Sequence, residues 1–550
     1  MIWKILSNFK KESVKSEEII KILLDNRGLK TKMEQEEFLN PESPEKLTAE
    51  DLGIDDKEIK KAVKRINKAI KESESIIIYG DYDADGICAT AILWETLYCL
   101  TKNVLPYIPE RINEGYGLNR DSIAKLKNQN SKLGLIITVD HGITAAGKIK
   151  YAKELGIDVV VCDHHQVSKE KPKCIAIVHT DKICAAAIAW FLAKEILKDG
   201  SNRQSLIANY LDLVAIASIA DLEPLTGINR SLVKFGLKAL NETKRCGVLA
   251  ILEEAGLKAG DLGTYEVGYI IAPRLNAMGR MEHALESLRL LCTKDYVRAK
   301  SLADKLGFTN KERQILTEET VKQAKLLVAG IEGELPKFLV VDSDQYEEGI
   351  IGLVAGKLVE EYCRPALVIS RGEIYSKASA RSIAGFNIIE AIRAQSDILI
   401  DAGGHPMAAG LTVETVKIND LRKRLILTAE KQITEEMLKK TLKIDLEIPL
   451  SYVSMKLWEG IQKLSPFGLG NPEPIFASEA EITDFRLVGN EGKHLKLMLV
   501  GKISAVAFNQ GYLSSKLSLG KKIRIAYSLS LNEWNNEKKV ELKVKDIDFL

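Results

Sequence analysis

The stretch "IIIYGDYDADGICAT", residues 76–90, sets three carboxylates, Asp81, Asp83 and Asp85, at alternate positions behind four apolar or aromatic residues. Alternate side chains of an extended strand share a face, so a strand over 76–79 whose end stays extended lets the three converge. Like charges that close repel strongly unless a cation sits among them. Gly80 and Gly86 bracket the turn and permit close backbone approach. Asp and Gly are also common turn residues, so this stretch alone reads equally as a solvated strand-to-helix turn.

The surrounding elements decide between the two. "SIIIYGD" is followed by "GICATAILWETLYCL", "LGLIITVDHGI" by "AAGKIKYAKELG", and then comes "IDVVVCDHH". Short apolar strands alternating with helical stretches predict βαβ units and a parallel, doubly wound sheet, in which ligands bind beyond the carboxyl ends of the strands. Asp140 and His141 follow the second strand, and Asp163, His164 and His165 follow the third. Three strand ends thus bring carboxylates or imidazoles to one edge, which points to a metal site.

Carboxylates and imidazoles without thiolates suit two divalent cations, Mn²⁺ or Mg²⁺. Two such ions about 3.5–4 Å apart clamp the attacking and leaving oxygens of a phosphodiester and activate a water. Asp140, on the middle strand end, is the candidate bridging carboxylate. Asp163, directly before the histidine pair, is positioned to orient an imidazole from the outer layer, and His141 belongs to that layer too. Neither H-E-x-x-H nor G-x-x-x-x-G-K-[ST] occurs, which disfavours zinc peptidase and P-loop chemistry.

At 550 residues, the chain is expected to divide into about three to four domains. Net charge is only +2, so any positive surface for a nucleic acid must be gathered locally. The eight cysteines form no C-x-x-C and mostly lie in apolar segments, as buried reduced thiols do. No segment reaches about 18 uncharged apolar residues, and the start lacks a signal-peptide core. A soluble cytoplasmic protein without a membrane partner is expected.

The fold class expected is α/β. Residues 1–45 read as an N-terminal helical extension and 46–290 as a catalytic α/β lobe. Residues 291–330 read as a connecting helix and 331–435 as a smaller α/β lobe containing the glycine-rich "DAGGHPMAAGL". In 436–550, five β-rich runs after "SPFGLGNPEP" predict a small barrel of the OB type.

The strand ends "DYDADG", "TVDHG" and "DHH" resemble the DHH phosphoesterase superfamily. "IPERINEGYGLN", "ASIADLEPLTGINR", "APRLNAMGRM", "EEGIIGLVAGKL", "ASARSI", "GGHPMAAG" and "PFGLGNPEP" follow in the order found in the RecJ family of that superfamily. The likeness runs from about residue 40 to 550, and the combination is far more specific than any single motif. It implies DHH, DHHA1 and OB domains, with metal ligands at Asp83, Asp85, Asp140, His164 and Asp221, and with Asp81 and His165 close by. It also implies 5′→3′ hydrolysis of single-stranded DNA in recombination and repair, along a path between two lobes. Arg111, Arg280, Ser379 and Arg381 lie in segments associated with phosphate contact near the 5′ end. Gly404 and His405 would close the site from the second lobe. A single-strand-binding protein and a recombination helicase are partners at the family level.

Two positions depart from the pattern. Tyr79 stands where many superfamily members carry a metal-binding histidine, which implies a thinner shell for one ion. Glu347, in "YEEGIIG", stands where the family usually has histidine. In the barrel, Phe485, Phe508, Tyr512 and Tyr527 are the aromatics available for stacking, most of them expected in the core. Two other readings remain: a phosphodiesterase of short oligonucleotides or cyclic dinucleotides, and a catalytically silent scaffold in a replication or repair assembly. The barrel and long helix argue against the first, and the intact carboxylates and histidines against the second.

Overall fold

The computed structural model describes residues 1–7, 15–111, 113–167, 170–198, 204–534 and 537–549. Part of the N-terminal extension, residues 8–14, therefore lies outside the described residues. The chain forms two compact units. One comprises Trp3–Asn276, Ala284–Ala303 and Leu442–Leu550; the other comprises Met1–Ile2, Ala277–His283 and Asp304–Thr441. The 34-residue helix Tyr296–Ala329 carries the chain from one to the other. None of the helices among the described residues is long and apolar enough to cross a membrane.

The larger unit holds a five-stranded sheet in the order Val104–Tyr107, Ser75–Tyr79, Leu133–Val139, Asp158–Asp163, Ala176–His179. Every neighbouring pair is parallel. Ser75–Tyr79 is buried along its whole length, as a strand covered on both faces must be. One face sets Ile77, Tyr79, Ile136, Val159 and Val161 against Ile123, Ile149 and Ala152 of the flanking helices. The chain leaves Ser75–Tyr79 toward one edge of the sheet and later returns on its other side at Leu133–Val139. That topological switch is where an open α/β sheet opens a crevice at its carboxyl ends.

The C-terminal part of the same unit is a closed barrel of five strands, Phe476–Val488, His494–Leu499, Ile503–Ala507, Glu537–Phe549 and Lys522–Trp534, with the last pairing back to the first. The N-terminal segment corrects one expectation. It is not helical throughout and not a separate extension: Ile2–Ser7 is a strand beside Thr441–Glu447. Ile19, Leu23 and Leu24 of the helix Ser16–Asn26 then pack into the barrel core with Phe476 and Tyr527. The "SPFGLGNPEP" loop is a structural joint. Buried Arg230 donates to the carbonyls of Phe38 and Ser465, and Asn471 donates to those of Leu464 and Pro466.

The smaller unit has a mixed sheet in the order Leu399–His405, Ala408–Glu414, Tyr375–Arg381, Ala366–Ser370, Leu339–Ser343. Only the last two strands pair in parallel. The glycine-rich "DAGGHPMAAGL" is a β-hairpin. Gly404 has φ +144°, and a Cβ there would lie 2.3 Å from the Ala408 carbonyl oxygen. The hairpin itself therefore requires this glycine, whatever binds nearby.

Candidate metal centre

The carboxyl ends of the strands place the acidic side chains in a small buried volume. Asp81 and Asp140 follow neighbouring strands, and each is only 2% exposed. One ligand atom from each of Asp81, Asp83 and Asp140 lies within 4.8 Å of the other two, and so do single atoms of Asp85, His164 and Asp221. A third such group, Asp140, His164 and His165, overlaps both, so Asp140 and His164 stand where the sets meet. His164 Nε2 lies 3.2 Å from Asp140 Oδ1, 3.7 Å from Asp221 Oδ2 and 3.8 Å from Asp85 Oδ2.

Local backbone chemistry fixes each member. Asp83 caps the helix Ala84–Tyr98, accepting from the amides of Asp85 and Gly86 at 3.0 Å each. Asp85 caps a second helix, Ala185–Ile196, with both oxygens 2.7 Å from the Ala185 and Ala186 nitrogens. The glycines act as expected. A Cβ on Gly86 would lie 2.8 Å from the Asp81 backbone nitrogen, and one on Gly80 would lie 2.0 Å from Thr90 Oγ1. Asp140 is held in the left-handed region at φ 67°, a strained conformation for a non-glycine residue and one that clusters at functional sites.

An outer layer orients the imidazoles. His165 Nδ1 donates to Asp163 Oδ1 at 2.8 Å, and the Ile143 amide donates to Asp163 Oδ2. Burial alone would raise Asp163, but the hydrogen bond and charge of His165, with the Ile143 and His165 amides, together outweigh it and hold Asp163 down at about 2. His141 Nε2 donates to the Tyr79 carbonyl at 2.9 Å, and burial lowers its pKa to about 4, so it stays neutral. Tyr79 supplies that carbonyl while its ring sits in the core against Tyr107; it adds nothing to the ligand set.

Three further residues complete the site without any signal in the spacing of the sequence. Glu223 Oε1 faces His164 Nδ1 at 3.6 Å. Tyr116 donates to the Asp140 carbonyl at 2.8 Å and lies 3.2 Å from His165 Nε2. Asn276 Oδ1 accepts from the Ala84 amide, between Asp83 and Asp85.

The electrostatics fit cations. Burial, then the neighbouring Asp83 charge, pushes Asp81 and Asp140 well above the usual carboxylate range. Burial and Asp85 lift Asp221 to about 8, although a third of its side chain still faces solvent. Burial opposes charge on His164, yet its contacts with Asp140 and Glu223 raise it to about 12. Asp81 Oδ1 is buried without a hydrogen-bond partner. A buried set of acceptors that holds protons for want of positive charge is the donor set of a hard divalent cation.

The expected phosphate contacts divide between the units. Arg111 lies with the metal centre, 5.1 Å over the Tyr82 ring, and its charge acts on Asp81. Arg280, Ser379, Arg381, Gly404 and His405 belong to the smaller unit. There Arg280 donates to the Gly349 carbonyl, and Arg381 Nη1 lies 3.3 Å from Ser379 Oγ. Both residues of that pair crowd Gly352 in the first turn of Ile351–Tyr362, a helix whose N-terminus has no side-chain cap. His405 is exposed at the end of its hairpin strand. Glu347 is exposed just before the same helix.

A parallel sheet with these strand ends defines the class. Residues 75–218 match the DHH family N-terminal domain, 335–431 the DHHA1 domain and 444–546 the RecJ OB domain. The single-stranded-DNA-specific exonuclease RecJ of Bacillus subtilis is 38% identical over 89% of the chain, which spans 63% of that relative's length. RecJ of Thermus thermophilus is 31% identical over 89% of the chain and 71% of its own length. The crystal structure of RecJ from T. thermophilus in complex with Mn²⁺ superposes with a TM-score of 0.83 at 29% identity, covering 99% of this chain and 79% of that one. The corresponding Mg²⁺ complex gives 0.76 at 27% identity, covering 100% and 78%. The chain belongs to the RecJ family.

Proposed function

We propose that the chain is a divalent-metal-dependent exonuclease that degrades single-stranded DNA from the 5′ end. The observation that carries this reading is the pair of ligand groups meeting at Asp140 and His164, at the switch point of a RecJ-family sheet.

In this reading Asp81, Asp83 and Asp140 would hold one cation, and Asp85, His164 and Asp221 the other, with Asp140 and His164 where the groups meet. The cations supply a water of lowered pKa and positive charge at the phosphodiester. Asp140 fixes the spacing of the two groups. Asp163 and Tyr116 orient His165 at their edge, and Glu223 orients His164. In the smaller unit, Ser379 and Arg381 beside an uncapped helix N-terminus suit a terminal phosphate, because backbone amides and a guanidinium converge there. Arg280, Arg111 and His405 are assigned to the same substrate path. Phe508 and Tyr512, 52% and 71% exposed, are the barrel aromatics available for bases; Tyr527 is buried and Phe485 packs on the core.

The cellular setting follows the family: cytoplasm, recombination and repair, with a single-strand-binding protein and a helicase as partners. The limits at 291, 331 and 436 are kept as the working division of the chain, while the segment before 46 is grouped with the barrel it packs on. The test is to offer an end-labelled single strand and the same strand annealed as duplex, with Mn²⁺ and then with chelator. Digestion of the single strand alone, stopped by chelator, is expected. Turnover confined to dinucleotides would replace this reading with a small-substrate phosphodiesterase.

A further inference from the structure

We propose that Arg245 is a positioning residue: it sets the register of the two helices that carry Asp85 and Asp221, and thereby the separation of these carboxylates at one cation site. The inference rests on the metal-centre reading above and names a residue to which that reading gives no part.

The helix Ala84–Tyr98 starts at the metal centre, with Asp83 as its cap and Asp85 in its first turn. The helix Leu211–Ala220 ends there, and Asp221 directly follows it. The two pack against each other, so their far ends also lie together. Glu95 comes ten residues after Asp85, and Asp212 nine before Asp221. At about 1.5 Å per residue, each stands about 13–15 Å along its helix from the ligand at the other end. Arg245 joins these far ends. Its Nη1 and Nη2 donate to the two oxygens of Glu95 at 2.7 and 3.2 Å, and its Nε donates to Asp212 Oδ2 at 3.4 Å.

Arg245 is itself held in place. Its Nη1 also donates to the Leu291 carbonyl at 2.9 Å. Thr243 Oγ1 accepts from the Arg245 amide and donates to Asp212 Oδ2 at 2.9 Å. A Cβ on Gly247 would lie 1.9 Å from the Leu290 carbonyl oxygen, so the start of the helix Cys246–Glu254 sits directly against the end of Leu285–Cys292. The Arg245 and Asp212 side chains are 11% and 3% exposed. Burial disfavours the guanidinium charge, and Asp212 and Glu95 outweigh it. A buried ion triad is often no more stabilising than apolar side chains of the same volume; what it supplies is one fixed register. Arginine suits the task because its planar fork meets two carboxylates at set angles, which an ammonium on a flexible stem does not. A slip of either helix along its axis would break the fork at one end and part Asp221 from Asp85 at the other.

The test uses the full chain and Mn²⁺ alone, with calorimetric titration of the metal and thermal scans of the metal-free protein. Arg245→Lys is compared with the parent and with Arg65→Lys. Arg65 is also buried and also joins two carboxylates, Glu74 and Asp158, but at the amino ends of the strands. Both variants are expected to melt earlier, and only Arg245→Lys to weaken Mn²⁺ binding, by about tenfold. Glu95→Gln, which leaves the fork an acceptor without the charge, should fall between the parent and Arg245→Lys. Mn²⁺ affinity unchanged in both Arg245→Lys and Glu95→Gln, or weakened as much by Arg65→Lys, would overturn the inference and leave the triad a contact of the fold alone. If Arg245→Lys does not fold, Glu95→Gln decides by the same criterion. Failure of the parent to bind Mn²⁺ is a separate outcome: it removes the metal-centre reading and this inference with it.

Discussion

The Tyr116 hydroxyl donates a 2.8 Å hydrogen bond to the main-chain carbonyl of Asp140, the carboxylate common to two ligand groups. Asp140 is strained at φ 67°, and the same hydroxyl lies 3.2 Å from His165. One phenol therefore braces both the carboxylate shared by the two groups and an imidazole beside it. Tyr116→Phe removes the brace and keeps the ring. It should weaken Mn²⁺ binding roughly tenfold without unfolding the chain. Calorimetric titration of the full chain gives the affinity, and circular dichroism checks the fold.

Glu223 acts on the other histidine. With its Nδ1 turned to Glu223, His164 presents Nε2 to Asp85, Asp140 and Asp221. Glu223→Ala should cost about 10–100-fold in Mn²⁺ affinity, and Glu223→Gln less, because the amide oxygen still accepts from Nδ1. Equal losses in the two variants would refute an orienting role.

Metal removal has a signed pH consequence. Asp221 rises to about 8 and Asp81, Asp85 and Asp140 also rise, so the native metal-free state binds protons that the unfolded chain releases near 4. His164, raised to about 12, works in the same direction. The stabilisation from these protons is complete below the unfolded values and is lost as pH climbs through the raised ones. The metal-free chain should therefore melt at higher temperature at pH 6 than at pH 8.5, as far as this cluster decides. Mn²⁺ should add most at the higher pH, where it meets least competition from protons. Thermal scans with and without Mn²⁺ at both values check this; a cation effect that grows on acidification would contradict it.

Gly86 tests how tightly the first ligand loop is built. An added Cβ would meet backbone atoms of Asp81, which cannot swing aside like a side-chain tip. Gly86→Ala should cost about 1–3 kcal/mol of stability and weaken metal binding together. Denaturant unfolding and Mn²⁺ titration on the same preparation would separate this from a purely local change.

Much of the centre was legible because strand periodicity and strand ends are local properties. The alternation of Asp81, Asp83 and Asp85, the middle-strand position of Asp140 and the "DHH" end of Asp158–Asp163 each require only a short window and one rule about parallel sheets. Asp221 needed the family likeness, since it ends a helix remote in sequence. Glu223, Tyr116 and Asn276 were not legible: the first two reach the site from loops and Asn276 from within the helix Ala272–Met281, all on paths set by tertiary packing. The glycine-rich hairpin was not legible as strands because Gly and Pro signal turns, while cross-strand pairing with Tyr375–Arg381 fixes the backbone. The N-terminal strand was missed because its partner lies more than 400 residues away.

The central claim is that Asp140 joins two cation sites that cut single-stranded DNA from its 5′ end. The most direct measurement follows Mn²⁺-dependent digestion of one single strand labelled at the 5′ end and, separately, at the 3′ end, by the parent and by Asp140→Ala. Immediate release of the 5′ label, stepwise shortening of the 3′-labelled strand and no activity in the variant are predicted. Loss of the 3′ label first, or undiminished digestion by Asp140→Ala, would contradict the account.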